Sequence, residues 1–374
     1  MELAGAGSIV LNANGTALSD AAIYDNGYSN LTQDSGHSIT GTGQITVNAF
    51  TNNGTVNANS SGNTLLLTRA AFTNTNLMEA TGGGILQLNA GFTNTGGTIS
   101  ANGGTVLLNG GTITGGVLTS VTGSEIDEQS NTTLNGPTAN TGVTLSNGSN
   151  LNVLDGNSLY LNATTITNNG TITINKGGTN TGTGIAIIGT VDLTGTGSIV
   201  LNASTNSFGS ANIFDANSSN LTQEAQHTIS GAGQIAVNVF TNKGTVDANL
   251  SGNTLRLINA AYTNTNLMEA TNSGILPLNA NFTNTGGTIK ANGGTVQLIG
   301  GSVTGGTLTS ITGSEIDEQS STTLGGVTLS SGSNLKVLDG NNLLFAKWER
   351  KMNSTAGMAF NPLLLNDLRH LVGL

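Results

Sequence analysis

Along residues 1–345 apolar and polar positions alternate with period two in short runs, among them Ser8–Asn12 (SIVLN), Gln44–Asn48 (QITVN), Thr105–Asn109 (TVLLN) and Thr171–Asn175 (TITIN). Runs of this kind, rich in β-branched side chains and bounded by Gly or Asn, predict β-strands with one face turned inward. No part of residues 1–345 carries the period of an amphipathic helix. Three runs with their turns fill about 21 residues, and stacking such windings ~4.8 Å apart would give about sixteen windings and a rod on the order of 80 Å long. The expected fold is therefore an all-β parallel solenoid. An antiparallel sandwich also uses short strands between Gly turns, but its turns need not recur at near-constant spacing.

That spacing is explicit in the motif aromatic-Thr-Asn, which begins at Phe50, Phe72 and Phe92 and again at Phe240, Tyr262 and Phe282. Stacked windings would place these rings in an internal aromatic ladder, and the recurring Asn in hydrogen-bonded ladders at turns that demand positive φ. Both sets belong to a long duplication. Residues 3–161 recur at 193–345, with an offset of 190 that falls to 184 after Pro137–Gly142, a segment without counterpart. The chain divides into a first long solenoid repeat (1–192), a second continuous with it (193–345) and a non-repeat tail (346–374). The tail has a helical composition, with Trp348–Met352 and Asn361–Leu371. Two readings of it are open: a cap over the open strand edge of the last winding, or a truncation that replaces the next winding with unrelated sequence. A body built by copying short units points to a scaffold.

Composition narrows the partners. Only 8% of residues are charged and 4% aromatic, so a thick globular core is out of reach and a slender one is expected; 36% hydrophobic residues at regular places argue against disorder. Net charge is −10, and residues 1–345 hold just Arg69, Lys176, Lys243, Arg256, Lys290 and Lys336 as cations, which excludes nucleic acid as a partner. There is no cysteine, hence no disulfide and no thiolate metal site. No apolar run is long enough for a spanning helix, and no charged-then-apolar leader stands at Met1, so an export signal is expected to lie outside this segment.

Few positions invite chemistry. Gly123–Ser130 (GSEIDEQS) recurs unchanged at 313–320. Glu125 and Asp127, like Glu315 and Asp317, fall on one side of a strand about 7 Å apart, a separation open to an acid/base carboxylate pair or a weak cation site. With no Lys, Arg or His close by in sequence, the expected role is a solvated acidic strand; no catalytic residue, metal or cofactor is assigned. His37 and His227 hold equivalent positions and are expected on the surface, while His370 belongs to the tail; neither HExxH nor paired His spacing supports a transition-metal site. Asp25 and Asp215 are expected to shape turns. Gly41-Thr42-Gly43 and Gly195-Thr196-Gly197 lead into strands, whereas a phosphate-binding fingerprint opens a helix. Sequons are numerous, among them Asn14-Gly15-Thr16, Asn30-Leu31-Thr32, Asn53-Gly54-Thr55, Asn131-Thr132-Thr133 and Asn220-Leu221-Thr222, and are open to glycosylation in a secreted chain.

The motifs Phe92–Ile99 (FTNTGGTI), Ala101–Val106 (ANGGTV) and Gly7–Leu11 (GSIVL) resemble the passenger repeats of bacterial autotransporters and of filamentous-haemagglutinin-like exoproteins, over about residues 1–345. The resemblance implies a right-handed β-helix, export to the cell surface or medium, and a non-enzymatic role in attachment. Host or bacterial surface glycans or proteins are the partners it implies, met through a repetitive polar face with Tyr24, Tyr28 and Tyr160 as sparse aromatic contacts. End-to-end or lateral self-association is a further expectation. Two alternatives stay open: a carbohydrate-active β-helix of the polysaccharide lyase or hydrolase type, and a purely structural filament.

Overall fold

The structure, a computed structural model, describes residues 1–346 except 16, 70, 137–141, 177, 179–181, 205–206 and 259–260. The expected helical tail, from 347 on, lies outside the described residues. Within them the chain is a parallel β-solenoid of about 15 turns. Three strands make one turn: Ala49–Asn52, Thr55–Ala58 and Thr64–Thr68 are followed by Ala71–Asn74, Leu77–Thr81 and Ile85–Asn89. Each pairs in parallel with its successor one turn on, Phe50 with Phe72, Val56 with Met78 and Leu65 with Leu86. Antiparallel geometry is confined, among the described residues, to isolated bridges of Thr81 with Gly103 and Thr271 with Gly293, which disposes of the sandwich.

The period-two pattern decides what is enclosed. Along Ala49–Asn52 the side chains of Phe50 and Asn52 are buried while Ala49 and Thr51 are half-exposed. Phe50, Phe72 and Phe92 form the expected ladder, with ring centroids 6.1 Å apart edge-on and then 4.7 Å apart stacked. Phe240, Tyr262 and Phe282 repeat it at 6.1 Å and 4.8 Å. Burying each ring contributes ~2–3 kcal/mol. Tyr262 fits this apolar column because its hydroxyl shares its one proton between the carbonyls of Ile258, at 2.7 Å, and Ile235, at 2.9 Å.

The asparagine ladders exist but not where turn chemistry places them. Asn52 Nδ2 donates to Asn74 Oδ1 and Asn74 Nδ2 to Asn94 Oδ1, both at 2.7 Å, and Asn242, Asn264 and Asn284 do the same at 2.8 and 2.7 Å. All six are fully enclosed, and none has positive φ; among the described residues Asn131, Asn175 and Asn272 are the asparagines that do. The ladder residues thus seal the corner of each turn from inside, their amides replacing the water that the corner's backbone would otherwise need. Asn52, for example, accepts from Gly54 N at 3.1 Å and donates to Leu77 O at 3.0 Å.

Turn length is less regular than the motif spacing predicts. Phe50, Phe72, Phe92 and Ile113 are 22, 20 and 21 residues apart, but Leu134 pairs with Leu161 and Leu161 with Ile187, 27 and 26 residues on. The longer windings carry loops at their corners and leave fewer turns than a constant period allows.

The duplication does not close on a whole number of turns. Asn30–Gln33 corresponds to Asn220–Gln223, which lies 24 strands later; one of those strands, Ser38–Thr46, bends across two faces, so 25 face passages separate them. That is eight turns and one face. The column of Phe50, Phe72 and Phe92 accordingly runs on through Ile113, Leu134, Leu161 and Ile187 into the strands of Ile213, Ile235 and Leu257, the second copy's leucine column. Phe240, Tyr262 and Phe282 stand instead above Val191 and Leu221, on the face that carries Val56 and Met78 in the first copy. Equal surface chemistry in the two copies therefore points to different sides of the rod.

Candidate functional site

The residues outside the core make ordered arrays. Thr32, Thr51, Thr73, Thr93 and Thr114 are consecutive register partners, forming a ladder of one hydroxyl and one methyl per turn. Beside it, two residues earlier in three of the strands or loops, stand Ala49, Ala71 and Gly91. Thr222, Thr241, Thr263, Thr283 and Thr304 make the second ladder, one face round the rod. β-Branched side chains on paired strands hold few rotamers, so each ladder is a stiff, uncharged strip. The recurring Thr after each aromatic residue is legible in the sequence; the change of face is not.

The duplicated acidic strand is only partly as expected. Glu125 and Asp127 share the outer side, as do Glu315 and Asp317, but each copy has a basic partner. Lys176 pairs with Glu125 and Lys336 with Glu315, all four side chains half-exposed. Lys176 is far off in sequence and reaches across turns, which is why a local scan misses it. Asn152 lies in register with Asp127 and donates to its Oδ1 at 2.8 Å; Lys336 occupies the corresponding place beside Asp317. Burial pushes the Asp127 carboxyl up, with the Asn152 hydrogen bond opposing. Asp317 is likewise raised by burial, then by the neighbouring Glu315, against Lys336. No group of three or more His, Asp or Glu suited to a metal ion occurs among the described residues.

Glu128 and Glu318 correct the picture of a solvated strand. They share the parity of Ile126 and Ile316, point inward and are fully enclosed. Glu128 Oε1 accepts from Ser130 N at 2.9 Å and Thr132 N at 3.0 Å, and Glu318 Oε1 from Thr322 N at 3.0 Å, while both Oε2 atoms lack partners. Burial pushes the Glu128 carboxyl up to about 7.

The two duplicated histidines are also inside. His37 is 7% exposed and His227 not at all. Asn168 Nδ2 donates to His227 Nε2 at 3.0 Å, and burial brings this imidazole down to about 4. The carbonyls of both histidines receive a glutamine amide, Gln33 Nε2 at 2.9 Å and Gln223 Nε2 at 2.7 Å, which closes the same corner that the asparagines close elsewhere. Residues 41–43 lie within the strand Ser38–Thr46, where Gly41 (φ +108°) and Gly43 (φ +145°) turn the corner against the carbonyls of Leu11 and Ala21, as the strand reading of that GxG requires.

Of the tyrosines expected outside, Tyr24 and Tyr28 are 71% and 87% exposed and Tyr160 is half-exposed. Asp25, Asn26, Gly27, Tyr28, Val47, Asn48 and Arg69 line a polar cleft of about 360 Å³ at a corner of the rod. Asp215 behaves as the turn-former expected of it, its Oδ1 accepting from Asn217 N and Ser219 N at 2.7 Å each; Asp25 makes neither bond.

Comparison of the chain with protein-family models, with curated proteins and with solved structures gave no match.

Proposed function

We propose that the chain is a non-enzymatic stalk of a bacterial surface or secreted adhesin, working outside the cell and touching its partners many times through its polar strips. The observation that carries this reading is the pair of five-residue threonine ladders, uncharged and repeated one face apart along one rod. Contacts that are weak singly add by avidity when their spacing is fixed by a stiff scaffold. Surface glycans and proteins are the partners of choice, because rows of hydroxyls and amides satisfy many hydrogen bonds without demanding one geometry. The Glu125 and Glu315 pairs have no catalytic part in this account, each being held by a lysine of the rod itself.

The test is attachment of the full chain to bacterial and epithelial cells and to a glycan array, compared with the triple variant Thr51→Lys, Thr73→Lys, Thr93→Lys. Attachment that falls in the variant while its circular dichroism is kept supports the adhesin. Blank results on every surface favour a filament without ligand. Release of reducing ends from a polysaccharide panel, lost in Glu125→Gln with Glu315→Gln, would replace the adhesin with an enzyme.

A further inference from the structure

At the corner cleft the duplication kept the scaffold residues but not the side chains that would meet a ligand. Asp25, Val47 and Arg69 occupy one position in three successive turns, since Tyr24 pairs with Thr46 and Ile45 with Leu67. The first carboxylate and the guanidinium are thus two turns apart, about 9–10 Å along the rod, and they bracket the cleft from its two ends. Tyr28 stands at its rim with an open ring face, and Asn26 and Asn48 supply amides between. In the second copy the scaffold residues Asp215, Val237 and Asn238 recur, but Asn26, Tyr28 and Arg69 become Ala216, Ser218 and Asn259.

Two further observations mark these positions. Tyr28 and Arg69 have φ of +62° and +81°, the left-handed region that bulky side chains avoid. The turn of the second copy keeps that conformation with the smaller Ser218, at φ +48°. A large aromatic and an arginine held there against local preference are what a ligand-binding corner looks like. Among the described residues, Lys176, Lys243 and Lys336 are ion-paired and Arg256 lies 4.6 Å over the ring of Phe208, whereas no such contact engages Arg69 or Lys290; of these two, Arg69 is the one that lines a cleft.

We propose that this cleft binds a single carboxylated sugar residue, of the hexuronate class. The guanidinium takes the sugar carboxylate in a two-pronged hydrogen bond, a geometry that favours arginine over lysine. The Tyr28 ring covers the C–H face of the pyranose, and Asp25 with the two asparagines receives its hydroxyls. The cleft volume lies within the ~300–1,000 Å³ usual for small-ligand sites. The acidic rod, with net charge −10, repels long polyanions, so the lone guanidinium selects one acidic residue within a mostly neutral glycan. This inference rests on the adhesin reading only in that it makes part of the partner a glycan.

The experiment titrates the full chain with glucuronate and galacturonate, with glucose and galactose as neutral controls, by saturation-transfer NMR and calorimetry. Tyr28→Ser and Arg69→Asn are the variants, each carrying the residue found at the corresponding place of the second copy, and unchanged circular dichroism and thermal unfolding certify their folds. Saturable binding of the uronates at one site is expected, with a Kd on the order of 1 mM and neutral sugars about tenfold weaker or worse. Arg69→Asn should lower uronate affinity about tenfold, as loss of a charge-assisted bond does, and Tyr28→Ser should weaken acidic and neutral sugars alike. Equal response to acidic and neutral sugars, absence of saturable binding, or undiminished uronate binding by Arg69→Asn overturns the proposal. A rod that attaches to cells through its threonine strips yet ignores uronates sinks the cleft alone, whereas uronate binding without attachment sinks the adhesin and leaves the cleft standing.

Discussion

Replacing Glu128 by Gln isolates the charge of a carboxyl that the folded rod wraps on all sides. Its register partners are Leu108 below and Val153 above, and its Oε2 has no hydrogen-bond partner. Burial raises the group from 4.5 to about 7, in spite of the amides of Thr132 and Ser130 on Oε1. Between those values the folded turn keeps a proton that the unfolded chain releases. Its contribution is therefore complete below pH 4.5 and is lost as pH rises through 7. At ~1.4 kcal/mol per pH interval, the loss reaches about 3 kcal/mol at high pH, an upper figure that entering water would reduce. Because each turn touches mainly its neighbours, the effect is local to the turns around residues 105–108, 125–128 and 150–153. Native-state hydrogen exchange at those amides, corrected for intrinsic rates, is the assay. Glu128→Gln should match the unmodified chain near pH 4.5 and protect these amides better by about 2–3 kcal/mol at pH 8.5. Identical pH profiles for the two proteins, or a variant that is the less stable at pH 8.5, would refute the reasoning.

The imidazole of His227, brought down to about 4 by burial, should show no NMR titration near its ordinary 6.5; its stabilising share is whole above 6.5 and is lost as pH falls toward 4, and a midpoint between 6 and 7 would place the ring in solvent. Asn74→Ala orphans Asn94 Oδ1 and deprives Asn52 of an acceptor, and should cost about 2–4 kcal/mol in the protection of neighbouring turns. Phe72→Ala should cost ~3–5 kcal/mol by the same measure, while Thr73→Ala, one residue on and facing outward, should stay within ~0.5 kcal/mol; similar values for both would contradict the inward-outward assignment. Glu125→Gln breaks a half-exposed pair with Lys176 and should change stability by less than about 1 kcal/mol in low salt, and less again in high salt.

The strand pattern, the three-strand winding and the aromatic ladder could be read in the chain because each depends on local alternation and a fixed short period. Glu128 could have been found the same way, since it stands two residues after Ile126 on a strand of period two; its charge suggested solvent, and parity prevailed. His37 and His227 gave less warning, being enclosed by corners that form only when the turns stack. Asp25 and Arg69 fall into line across two windings of 22 residues each, but no motif in either stretch marks them as neighbours. Lys176 and Glu125 meet because windings of unequal length bring them together, and no single stretch of sequence carries that length. The one-face rotation of the second copy has the same origin: 25 face passages are not divisible by three strands per turn.

One distance tests the continuous parallel winding most directly. The chain has no cysteine, so Thr73→Cys with Thr263→Cys gives a doubly spin-labelled rod carrying one label per copy. Eight turns and one face at ~4.8 Å per turn predict a narrow pulsed-EPR distribution centred near 40–45 Å. A broad distribution, or a centre below about 25 Å as two bodies folded side by side would give, contradicts the single solenoid.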